Sequence, residues 1–101
     1  MNRRLELHQI LVGLLESNNV YFQPPSTVKM QYPCIVYKRN GIDTEYSDDT
    51  IYKYMISYMV TVIDSNPDSD LPEKILSLPL CRFSRHYTAD NLNHDVFTIY
   101  Y

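Results

Sequence analysis

The stretch IYKYMISYMVTVID, residues 51–64, alternates its side chains with a period of two from end to end. Tyr52, Tyr54, Ile56, Tyr58, Val60 and Val62 share one face; Ile51, Lys53, Met55, Ser57, Met59, Thr61 and Ile63 share the other. The first set is apolar throughout, which predicts a strand with that side on a core. Fourteen residues exceed the common strand length. The strand is therefore expected to run past its sheet as an arm or to bend at a bulge. Met55 and Met59 lie on the opposite side and are too apolar to be left in water without a partner, so that side is expected to be a contact surface.

Working outward, DSNPDSDLPEKILSL (64–78) holds Asp and Ser capping candidates and Pro72 suited to a first helical turn. A short helix is predicted, with Ile75, Leu76 and Leu78 on its buried side and an end before Pro79. Residues 81–88 and 94–101 read as two strands of a hairpin joined by ADNLN, whose Asp and Asn favour tight turns. Upstream, CIVYKR (34–39) is a buried strand turning polar at Lys38, and Asn40-Gly41 supplies a turn or bulge. A mobile acidic loop is expected from about Asp43 to Thr50. From Arg3 to Ser17, Leu7, Ile10, Leu11, Leu14 and Leu15 form the stripe of an amphipathic helix, with Ser17-Asn18-Asn19 ending it in a left-handed turn. Val20-Tyr21-Phe22 is a short strand stopped by Pro24-Pro25. The element order α-(β)-β-β-α-β-β predicts an α+β fold: a single domain over 1–101, a mostly antiparallel sheet, and two helices packed on it.

Ten tyrosines, no tryptophan and only two glycines suit strands and contact surfaces rather than phosphate-binding loops. The net charge of −3 is unevenly spread. Residues 43–73 hold eight acids (Asp43, Glu45, Asp48, Asp49, Asp64, Asp68, Asp70, Glu73) against Lys53, giving −7 and leaving +4 on the flanks. A polyanion-binding surface is thus disfavoured unless the bases of both flanks converge in space. The longest apolar run, Ile10 to Leu15, is far short of the ~20 residues of a membrane helix. Arg3 and Arg4 precede an interrupted apolar stretch without a cleavage site, so a cytosolic N-terminus is expected. Cys34 and Cys81 have no paired spacing and read as buried free thiols.

Catalytic and metal-binding patterns are weak. Asp64, Asn66 and Asp68 start like a calcium loop, but Ser69 stands where glycine is needed and Ile75 where the bidentate glutamate belongs. His86 and His94, with Asp90 and Asp95 near them, make an incomplete metal site if they face each other across the hairpin. Cys34 or Cys81 with a histidine carries no nucleophile signature. Tyrosines beside Arg82 and Arg85 suit base stacking, yet acids outnumber bases and the alternation uses the tyrosines for packing. No catalytic residue, cofactor or metal is expected, and the chain does not read as an enzyme.

Three stretches, YPCIVYKRN (32–40), YMVTVIDSNPDSDLPEKIL (58–76) and CRFSRHYTADNLNHDVFTIYY (81–101), together with the N-terminal helix, resemble the tail-terminator or tail-completion (tail-to-head joining) proteins of long-tailed bacteriophages. The shared features are hydrophobic patterns and turn residues. What the resemblance implies is a structural virion protein that forms a ring, usually hexameric, on the head-proximal end of the tail tube. There it stops tube growth and joins tail to head. The implied partners are further copies of the chain, the tail tube protein and the head connector, with DNA only as cargo through the lumen and no membrane. Assembly would take place in the bacterial cytoplasm. The expected subunit or tube interface combines Met55 and Met59 with Asp43, Glu45, Tyr46, Asp48 and Asp49. The alternatives are a nucleic-acid-binding module, or a neighbouring head-completion or minor tail protein.

Overall fold

Strand β3 (Thr50–Asp64) is the centre of a five-stranded sheet ordered β1-β2-β3-β5-β4. The computed structural model describes residues 3–47 and 50–101, with side chains described for 3–44 and 54–101. The other elements are α1 (Arg3–Leu15), β1 (Val20–Phe22), β2 (Cys34–Ser47), α2 (Leu71–Leu76), β4 (Cys81–Ala89) and β5 (Leu92–Tyr100). Only β1 is parallel to its neighbour; the remaining ladders are antiparallel, so the fold is α+β as the sequence predicts.

Both helices contribute to the core on one face of the sheet. Tyr58, Val60 and Val62 of β3 meet Ile35 and Tyr37 of β2 and Phe97 and Ile99 of β5, under Leu7, Leu11 and Leu15 of α1 and Leu71 and Ile75 of α2. The three α1 leucines are spaced by four, which keeps them on one side of a helix, and each fully buried leucine is worth about 1.5–3 kcal/mol. Ile10 and Leu14 are only half-buried, because a helix on a flat sheet has one line of closest approach. Along β3 the apolar row outlasts the core: Ile56 still packs against it, whereas Tyr54 is 63 % exposed.

Tyr37 is wholly buried and would be costly without partners for its hydroxyl. Helix α1 supplies both. Arg4 Nη1 donates to Tyr37 Oη at 3.2 Å, and Tyr37 Oη lies 2.7 Å from His8 Nδ1, so the hydroxyl donates to a neutral His8. Burial, and then the nearby Arg4 charge, hold the His8 pKa below its ordinary 6.5. Arg4 also sits over the Phe22 ring at 4.3 Å, tying α1 to β1.

Several sequence expectations need correction. Helix α1 stops at Leu15, and the left-handed residue is Glu16 (φ 58°) rather than an asparagine. The chain must turn directly after the last buried leucine to bring Val20 into the sheet. Asn19 instead spans the connection, its Nδ2 donating to Pro33 O at 3.4 Å. In α2 the buried pair is Leu71 and Ile75, one helical repeat apart, while Leu76, about 100° further round, is 49 % exposed. The segment before α2 is a chain of side-chain turns. Asp64 Oδ1 accepts from Asn66 N–H (2.9 Å), Asn66 Oδ1 from Asp68 N–H (3.0 Å) and Ser69 Oγ from Leu71 N–H (3.3 Å). Asp64 and Asn66, two of the three calcium-like positions, thus each have a side-chain oxygen engaged locally. The terminal hairpin turns on two residues only, Asp90 and Asn91, both at positive φ (53° and 62°), as tight hairpins require.

The largest correction concerns the expected loop at 43–50. Strand β2 continues to Ser47 and pairs with β3 through Ser47↔Thr50, so only 48 and 49, outside the described residues, lie between the strands. Asp43 is tolerated there because it is exposed where the ribbon has run past the core. Asn40-Gly41 forms the bulge, with the register shifting between Arg39 and Gly41, and a second shift follows between Glu45 and Tyr46.

Two measurements check this architecture. Because the folded pKa of His8 is depressed, its contribution to stability should be fully present above about pH 6.5 and be lost as the pH drops through that value towards the folded pKa, where the unfolded chain binds the extra proton. The difference between wild type and His8→Asn in unfolding midpoint should therefore shrink between about pH 7.5 and about pH 5.5; parallel profiles would show that His8 is not held neutral. Cys34 is buried, and burial, followed by the Asp64 charge, pushes its thiol up to about 11. Thiol titration should find two groups in the denatured, unreduced chain and leave Cys34 unreacted in the native one. Fast native modification of Cys34 would contradict its placement.

Candidate functional site

Of the residues weighed for chemistry, His86 and Asp95 meet, but the two histidines are kept apart. His86 pairs across the hairpin with Asp95 and His94 with Tyr87, and consecutive pairs point to opposite faces of a sheet. His86 Nδ1 is 2.7 Å from Asp95 Oδ1, and His94 stacks on the Tyr87 ring at 4.6 Å and 12°. The two histidines do not converge on one site. Among the described residues no group of three or more His, Cys, Asp or Glu is placed to hold a metal ion. Burial raises the Cys81 thiol as well as Cys34, whereas a nucleophilic cysteine needs its thiolate favoured. No described helix is long and apolar enough to cross a membrane.

What the sheet builds instead is a projection. β2 is paired to β1 only through Tyr37, and β3 to β5 only from Ser57 onward, extended by Tyr101 N–H donating to Ile56 O at 3.0 Å. Past those points the two strands pair only with each other. The molecule measures 51 × 24 × 23 Å, the long dimension reflecting this arm. A two-stranded ribbon alone is marginally stable in water, and its open edges are templates for further pairing. Ile42 (53 % exposed) and Tyr54 (63 % exposed) are large apolar residues on it that the subunit leaves uncovered.

The root of the arm is braced. Ser57, buried at 3 % exposure, donates from Oγ to Gly41 O at 3.3 Å and lies 3.5 Å from Asn40 Nδ2, so the bulge is held by a side-chain hydroxyl on the facing strand. Tyr100, the cross-strand partner of Ser57, hydrogen-bonds to the Asp43 carboxylate; that bond, and then the Asp43 charge, raise the tyrosine pKa. Asp43 is thus an exposed arm residue tied back to β5.

The other expected interface residues separate along the arm. Met55 borders a cavity of about 470 Å³ at the arm root, with Arg3, Arg39, Tyr54 and Tyr101 around it. Arg3 lies over the Tyr101 ring at 5.0 Å, and Tyr101 Oη contacts Glu6 Oε2 at 3.5 Å. Met59, half-buried, lies on the helix-free side of the sheet, in a groove of about 510 Å³ with Lys38 and Arg85. Glu45 and Tyr46 belong to β2, but their side chains, like Asp48 and Asp49 altogether, are outside the described residues. Sequence reading missed both basic hollows. Its one usable signal was the positive charge of the two flanks, which mattered only if they met in space.

The brace makes a prediction. Ser57→Ala removes the hydroxyl and leaves the Gly41 carbonyl without it, at a cost of about 1–3 kcal/mol in denaturant unfolding. Amide exchange should quicken from Gly41 to Thr44 and stay unchanged in the β4–β5 hairpin. Unchanged protection at the bulge would show that the strands, not Ser57, hold the arm.

No protein-family model matches this sequence, and no curated protein is significantly similar to it.

Proposed function

We propose that this chain is an assembly protein: a subunit that closes into a ring, hexameric by the resemblance above, on the head-proximal end of a phage tail tube. It stops tube growth there and joins the tail to the head connector. The observation that carries this reading is the projecting arm, with its open edges and uncovered Ile42 and Tyr54. A subunit acting alone gains nothing from such an extension. A contact in which the arm of each copy lies on the body of the next buries it once per subunit, and a head-to-tail contact of this kind generates rings when the rotation closes. The resemblance of residues 32–40, 58–76 and 81–101 to tail-terminator proteins narrows the assembly to the head-to-tail junction. On this reading the protein performs no reaction, needs no cofactor, and resides in the virion tail after assembling in the host cytoplasm.

Mixing the purified protein with tail tubes and imaging them in negative stain tests the reading. Tubes should gain a ring at one end and stop elongating. The double variant Ile42→Asp/Tyr54→Asp, which alters only exposed arm positions, should keep the wild-type circular dichroism spectrum and lose both effects. Tubes that grow equally with and without wild-type protein would refute the function; capping by the double variant would move the contact off the arm.

A further inference from the structure

The bases of the two flanks do converge, on the helix-free face of the sheet. Lys38, Met59, Thr98 and Arg82 follow one another as cross-strand partners, Val36, Thr61, Val96 and Arg85 form the adjoining row, and Cys34, Ile63, His94 and Tyr87 the row beyond. Cross-strand partners point to the same face, so these rows hold three bases and no acid, in a chain whose net charge is −3. Lys38, Arg82 and Arg85 are exposed, and among the described residues none of them is in an ion pair. The next row toward the arm holds Ser57 and Tyr100, and Tyr100 binds the Asp43 carboxylate, so the positive patch ends there.

The bases stand on either side of an apolar floor. Four strands at about 4.8 Å spacing put Lys38 and Arg82, the ends of one row, about 14 Å apart. Between Lys38 and Arg85 lies the groove of about 510 Å³, floored by Val36, Met59 and Val96. Its β4 side is planar as well as positive: Arg85 lies 5.5 Å from the centroid of the Tyr87 ring, which in turn stacks on His94 at 4.6 Å. A matching ligand needs repeated negative charges with flat apolar groups between them. Single-stranded nucleic acid has both, because its phosphates repeat along the backbone and its unpaired bases expose their faces to aromatic rings and guanidinium planes. A duplex keeps those faces inside, and an acidic peptide offers the charge without a flat group beside each charge.

We propose that the helix-free face binds a short segment of single-stranded nucleic acid, its phosphates against Lys38, Arg82 and Arg85 and its bases on the Met59–Val96 floor and the Arg85–Tyr87 stack. The assembly contact rests on Ile42 and Tyr54, which lie on the core side of the β2–β3 ladder, so neither reading depends on the other. Every base has a face to stack, so the site tolerates any base sequence.

The test is fluorescence anisotropy of a labelled oligothymidylate of about 12 nucleotides, titrated with the whole chain at several salt concentrations, with circular dichroism as the folding control. The logarithm of the affinity should fall with the logarithm of the salt concentration at a slope of about −2, about −0.7 for each of the three bases. Lys38→Gln/Arg85→Gln should weaken binding at least tenfold at low salt and flatten the slope to about −0.7. Tyr87→Ala should weaken binding about fivefold or more and leave the slope unchanged. An abasic strand of the same length, which keeps the phosphates and lacks the bases, should do the same with the wild-type chain, and so reads the stacking even where Tyr87→Ala fails to fold. No binding at low salt, or undiminished binding by Lys38→Gln/Arg85→Gln, would overturn the face as a phosphate site. Equal affinity for the abasic strand, or a duplex bound as tightly as the single strand, would rule out stacking and refute a single-stranded ligand. Polyglutamate that displaces the oligonucleotide at equal charge concentration would assign the groove to an acidic protein instead.

Discussion

Strand β3 has fifteen residues and β5 nine, and most of the architecture follows from that mismatch. Where β3 has a partner on each side, from Ser57 to Asp64, its even-numbered side chains can be roofed by helices and the core forms. Where it has only β2, no roof is possible, and the same alternating pattern continues into water as an arm. The boundary is marked by side chains suited to it. Ser57 satisfies the bulge carbonyl, Tyr100 reaches Asp43, and the Tyr101 N–H takes the next free carbonyl of β3. A projection with a fixed root can present its far end in one direction, which a flexible loop cannot do.

Helix α1 is attached by more than its leucines. Tyr37 stands beneath it with ring contacts to Phe22, Tyr58 and His8, at centroid distances of 5.0, 6.1 and 5.6 Å. Its hydroxyl can be satisfied only if Arg4 and His8, four residues apart on one helix face, are set over it. Apolar burial alone would allow α1 to slide along the sheet by a turn at modest cost. The hydroxyl makes one position better than its neighbours, because any other leaves a buried polar group without partners.

Charge is sorted by position in the fold rather than along the chain. Among the described residues, exposed Asp43 stands on the arm, and Asp64, Asp68 and Asp70 lie on the turns before α2, where Asp64 accepts a backbone N–H and Asp68 and Asp70 face water. Lys38 from one flank and Arg82 and Arg85 from the other meet on the helix-free face. The net charge of −3 therefore describes neither surface.

The sequence by itself determined the order of helices and strands, the α+β class and the apolar side of β3, and it offered an arm or a bulge for the excess length of that strand, because periodicity is a local property that survives without knowledge of partners. It also placed Val20–Phe22 and the bulge at Asn40-Gly41. It misread residues 43–50 as a loop, since acidic composition signals solvent exposure and a ribbon without a core is as exposed as a loop. It assigned Leu76 to the core of α2, whereas the six-residue length of the helix, set by tertiary packing, selected Leu71. Histidines eight residues apart looked like a pair until the hairpin register put them on opposite faces. The two basic hollows, the polar seat of Tyr37 and the meeting of Lys38 with Arg85 were decided by tertiary structure alone. Each joins residues more than twenty-five positions apart, and only the pairing of strands brings such residues within reach of one another.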